Sequence, residues 1–121
     1  MAQHDLAADL DRTFAVAVAR ARRGTGMTAA EFDYSLAYGA PGGDERAVRA
    51  LSNAIYDLAT ANLPEVTPGC DVAVVQARHD AHHALLDALR PHWDRMVAEA
   101  KAKSYTGWSR YSTTRVRFAG P

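Results

Sequence analysis

Apolar residues recur along most of this chain at spacings of three or four, the signature of helices that each bury one face. The longest such run spans Asp71 to Lys103. At heptad spacing it reads Val72, Val75, His79, His82, Leu86, Leu89, Trp93, Met96 and Ala100, an apolar seam interrupted in the middle by two imidazoles. Arg78, Asp80, Asp87, Arg90, Asp94, Arg95 and Glu99 fall off that seam, as an amphipathic helix requires. Pro91 lies inside the run, yet the pattern resumes in register at Trp93 and Met96, which predicts a kink or a second helical piece opened by the proline. Asp71 is a good N-cap for this helix, although Asp71 to Val75 taken alone also reads as a short strand.

Three shorter helices are expected before it. From Asp5 to Arg23, Leu6, Leu10, Phe14, Ala17 or Val18, and Ala21 line one face. Acids come early (Asp5, Asp9, Asp11) and bases late (Arg20, Arg22, Arg23), the order that complements a helix dipole, with Gly24 as the natural stop. The arginines are then a solvated helix end. Thr28-Ala-Ala-Glu31 has the capping-box pattern and predicts a short helix that buries Phe32 and Leu36 and ends near Gly39. Gly39 to Gly43 is a turn, after which Asp44 caps a third helix carrying Val48, Leu51, Ile55 and Leu58 and ending at Asn62. A helix-turn-helix reading of this pair fails on chemistry. The third helix opens on Asp44-Glu45 with only Arg46 and Arg49 to face a nucleic acid, so an ordinary helical hairpin explains the same residues. The two prolines between Leu63 and Gly69 make that stretch a loop.

After Lys103 the pattern changes. Ser104-Tyr-Thr-Gly107 predicts a helix break, and Trp108 to Phe118, rich in aromatic, Thr and β-branched residues, favours extended chain. The expected architecture is an all-α bundle of about four helices with a long kinked fourth helix and an extended C-terminal arm, divided as a bundle domain 1–103 and an arm 104–121.

Charge sharpens this division. All fourteen acids and nine of the fourteen Arg and Lys lie in residues 1–100, a net of −5, whereas the remainder carries five bases and no acid, a net of +5. The single cysteine, Cys70, excludes an internal disulfide and a cysteine metal cluster. A polar, acid-bearing N-terminus resembles neither a signal nor a transit peptide, and no run reaches the roughly 20 apolar residues of a membrane span. The expectation is a cytoplasmic protein with no membrane partner and no cofactor.

Two regions carry candidate chemistry. The histidines support three readings. They are helix residues partly buried in the seam; or His79 and His83, four apart on one face, hold a metal ion with help from His82 or Asp87 and from a further ligand such as His92, His4 or Glu31; or they are catalytic. The last reading rests on Arg78-His-Asp-Ala-His-His83, an arginine followed after four residues by a histidine, which resembles the short signature of HEPN-type ribonucleases. That resemblance implies a small helical enzyme that cuts RNA without metal, typically as a dimer. Arg78 would then stabilise charge on the scissile phosphate and His83 would act as acid or base. Leu85 stands where that signature commonly has an aromatic residue.

In the arm, Lys101, Lys103, Arg110, Arg115 and Arg117 interleave with Tyr105, Trp108, Tyr111 and Phe118. Cations and rings so mixed suit a nucleic acid, but equally a protein surface or a tail folded back on its own domain, and an acidic body repels phosphate. The expected function is a non-enzymatic interaction or assembly protein whose arm docks on a neighbouring subunit, making a homo-oligomer, or on a partner protein. The alternative is a HEPN-like ribonuclease or RNA-binding protein using Arg78 and His83.

Overall fold

The computed structural model describes the backbone of residues 2–39 and 43–114 and the side chains of residues 8–39 and 43–103. Four helices form an all-α bundle: α1 (Ala2–Thr25), α2 (Ala29–Tyr38), α3 (Arg46–Thr60) and the long α4 (Val72–Thr114). No strand occurs among the described residues, so Asp71 to Val75 is the start of a helix.

The core sits around α3, which packs against the other three helices. It buries Ala47, Leu51, Ala54 and Ile55, to which α1 adds Phe14, Ala17, Val18 and Ala21, α2 adds Phe32 and Leu36, and α4 adds Leu89. Each fully buried Phe, Leu or Ile contributes about 1.5–3 kcal/mol, so this small set drives the bundle together. The four alanines contribute little area but let backbones approach closely. Val48 and Leu58 flank the core as partly buried residues, in keeping with the predicted stripe on α3.

The helix ends show local chemistry at work. α1 runs past Gly24 and stops at Gly26, whose positive φ of 71° lets its N–H turn back to the Arg22 carbonyl at 3.0 Å. The capping box at Thr28 and Glu31 forms in both directions. The N-cap of α3 is Glu45 rather than Asp44, but the Asp44 carboxylate still accepts from the Arg46 N–H at 3.1 Å. A buried hydroxyl completes that junction: Ser35 donates to the Asp44 carbonyl (2.8 Å) and accepts from the Ala47 N–H (3.2 Å). Between α3 and α4, Thr67-Pro-Gly-Cys70 is a type II turn, with Gly69 at φ 80° and the Cys70 N–H donating to the Thr67 carbonyl at 3.0 Å. Asp71 then caps α4 by accepting from the Ala73 N–H at 3.0 Å.

Two expectations about α4 are corrected. The heptad seam holds from His82 onward but not before it: Val72 is 80 % exposed, Val75 is 47 % exposed, and His79 is exposed. The turned-in face is instead Val74, Arg78, His82, Leu85 and Leu89. A helix of 3.6 residues per turn drifts about 20° per heptad, so about 60° accumulates between Trp93 and Val72 and carries the early seam off the bundle. The second correction concerns the end. α4 passes through Pro91 without a break and continues through Thr114, so the extended chain expected from Ser104 does not begin there. Once some thirty residues are helical, each further residue adds a hydrogen bond at low cost, and Gly107 opposes this by only about 1 kcal/mol. Asp87, whose carbonyl loses its partner at Pro91, is on the exposed side where water serves it. Residues 115–121 lie outside the described residues.

A Cβ at Gly39 would collide with the backbone carbonyl oxygens of Ser35 and Asp44, both held by the α2–α3 junction. Gly39→Ala is therefore expected to lower the free energy of unfolding by about 1–3 kcal/mol in urea denaturation. Gly24→Ala, where a Cβ meets nothing inside a helix, is expected to raise it by up to about 1 kcal/mol.

Candidate functional site

The residues that carried candidate chemistry fall into three separate environments along α4. Arg78 faces α3. Its Nε donates to the Tyr56 hydroxyl (2.9 Å), one terminal nitrogen donates to the carbonyls of Pro64 (2.7 Å) and Leu63 (3.4 Å), and the other donates to the Thr60 hydroxyl (3.2 Å). The guanidinium also lies 5.4 Å from the Tyr56 ring centre. Carbonyls at and beyond a helix C-terminus lack intrahelical donors and carry partial negative charge, which a planar, multidentate cation satisfies. Arg78 thus clamps α4 onto the end of α3.

His82 lies one turn further along, edge-on to the other side of Tyr56 at 5.2 Å and 88°. Its Nε2 is buried without a hydrogen-bond partner. Burial holds its pKa below the ordinary 6.5, with the like charges His83 and His79 acting in the same direction and the Ser52 backbone opposing them.

His79 and His83 are exposed on the outer side of the helix, their ring centres 4.3 Å apart. Arg78 and His83, the pair on which the ribonuclease resemblance rests, have different neighbours: Arg78 is committed to α3, and His83 sits against His79 and, at 5.7 Å, His82. Of the further ligands suggested for a metal, His92 is engaged elsewhere, its Nε2 at 2.6 Å from Asp11 and its ring 5.7 Å from Phe14, and Glu31 serves the α2 capping box. The side chain of His4 lies outside the described residues. Among the described residues, no group of three or more His, Cys, Asp or Glu could hold a metal ion.

At the other end of α4, the basic segment begins against α2. Lys101 lies 5.7 Å from the Tyr38 ring centre, and Lys103 lies 3.9 Å from the Asp33 carboxylate. Asp33 also accepts from Arg22 at 3.3 Å, so that arginine is an inter-helix contact rather than a purely solvated helix end. The rings of Tyr34 and Tyr38 lie 4.9 Å apart, tilted at 42°, and both residues expose more than 40 % of their surface. Tyr105, Trp108, Arg110 and Tyr111 are in the helical part of α4, with side chains outside the described residues, and Arg115, Arg117 and Phe118 lie beyond it.

Sequence reasoning missed Tyr56, Thr60, Asp33, Tyr34 and Tyr38. The signal for the tyrosines was present in their spacing: Tyr34 and Tyr38 are four apart on one helix face. Tyr56 and Thr60 are also four apart, on α3 beside its apolar stripe.

Removing the clamp leaves the oxygens of Leu63 and Thr60 short of a donor and Tyr56 without its cation. Arg78→Ala is expected to cost about 2–4 kcal/mol in chemical denaturation, and Arg78→Lys to recover less than half, because an ammonium cannot reproduce the planar fork. The histidine gives a pH signature. With its folded pKa depressed, His82 supports full stability above about pH 6.5, and that support is lost as the pH falls through the folded value, because the unfolded imidazole takes up its proton first. Melting temperatures should therefore fall between pH 7.5 and 5, and His82→Leu should flatten this slope. Asp44, held at about 2 by Arg46, acts only well below that window, as the pH drops from 3.8 toward 2.

No protein-family model, curated protein or solved structure matches this chain, so its functional reading rests on the geometry above.

Proposed function

We propose that this is a non-enzymatic interaction or assembly protein whose basic, aromatic C-terminal segment docks on an acidic, aromatic surface of a neighbouring subunit or a partner protein. The observation that carries the reading is the first part of that segment on α2, where Lys101 meets Tyr38 and Lys103 meets Asp33. Cation on ring and cation on carboxylate are the contacts expected between a +5 segment and a −5 body. A contact made within one chain is equally available between chains, which is how an exchanged segment builds an oligomer at low cost. The body supports this with exposed carboxylates at Asp57, Asp80, Asp87, Asp94 and Glu99. The same field repels phosphate, which weighs against nucleic acid. Arg78 weighs in the same direction, since its four hydrogen bonds hold the fold together. No described helix is long and apolar enough to cross a membrane.

Size-exclusion chromatography with light scattering, run in EDTA on the full chain and on a chain ending at Lys103, tests this. The full chain is expected to self-associate or to retain a protein partner, more weakly at high salt, and the truncated chain to do neither. Equal mass and equal protein capture for the two would overturn the proposal, as would capture of RNA in place of protein.

A further inference from the structure

The exposed pair His79 and His83 is independent of the C-terminal segment. Each is one helical turn from the other, their rings are already 4.3 Å apart, and neither has a hydrogen-bond partner that the fold depends on. Two imidazoles so placed converge on one borderline cation such as Zn²⁺, with nitrogens about 2.0–2.1 Å from the metal, by side-chain rotation and without backbone movement. His82, though adjacent, is not a third ligand, because its Nε2 is buried and its ring packs edge-on to Tyr56. The described residues of one chain therefore supply two of the four ligands that a closed zinc site needs.

We infer that His79 and His83 form a half-site for a divalent transition-metal ion, completed by the same two histidines of a second copy of this chain. A two-fold contact places identical patches together, so two ligands from each copy give a four-histidine site. The surroundings suit a protein surface rather than a small chelator. Val75, 47 % exposed, is one turn before His79, and Val72, 80 % exposed, is one turn before that, on the same side of the helix. Among the described residues these apolar side chains are left largely exposed, and a second α4 crossing at the histidines covers them. Nearby Asp80 accepts from the Gln76 amide at 2.8 Å, and no third His, Cys, Asp or Glu among the described residues is placed to share a metal ion with the pair.

The test uses zinc chloride as the probe at pH 7.5. Isothermal titration on the full chain is expected to show one zinc per two chains, and light scattering to show a doubling of mass on adding zinc that EDTA reverses. His79→Gln and His83→Gln, both at exposed positions and checked for helicity by circular dichroism, are each expected to weaken zinc binding by at least about tenfold, as a two-point anchor becomes one-point, and to abolish the doubling. Absence of binding, binding that survives both substitutions, or one zinc per chain with no change of mass would each overturn the inference. Because the assembly proposed for the C-terminal segment is measured in EDTA, failure of one leaves the other standing.

Discussion

The structure depends on how α4 is seated on α3. α3 is the element against which every other helix packs, and α4 is the one that extends furthest from the shared core. Between Leu89, buried at the core, and Val72, nearly free, the clamp of Arg78 on Tyr56, Thr60, Leu63 and Pro64 fixes where the helix lies. An arginine suits this place because the end of α3 offers several oxygens in different directions, and only a planar multidentate cation meets them together. The type II turn at Pro68-Gly69 and the Asp71 cap bring α4 to that position without strain on either helix.

That seating determines what each histidine can do. His82 packs edge-on to Tyr56, and its burial disfavours the protonated ring, which makes it part of the packing. His79 and His83 are turned away and keep their solvent, ring against ring. Three imidazoles within five residues thus have two different roles, separated by the angle each makes with the α3 surface.

Electrostatics organises the other end of α4. Where the charge of the chain changes sign, at Lys101 and Lys103, the helix lies against the tyrosines and the aspartate of α2. Asp33 serves two cations, Arg22 from α1 and Lys103 from α4, and so ties three helices at one half-buried carboxylate. Ion pairs between partly solvated groups contribute little to stability.

The sequence by itself determined the number, order and type of the helices, the capping box at Thr28, the loop of Pro64 and Pro68, and the apolar positions Phe14, Phe32, Leu51, Ile55 and Leu89, because these follow from local propensity and from periodicity within one element. Tertiary structure decided which side of α4 meets the bundle before His82, why Arg78 is structural, and where Lys101 and Lys103 find partners. Those outcomes depend on angular drift accumulated over several turns and on side chains from helices far away in sequence, and no window of the chain contains both. The continuation of α4 to Thr114 belongs with them: the aromatic, β-branched composition there favours extended chain locally, but a helix already nucleated over many turns extends at less cost than a lone strand with no partner for its amides.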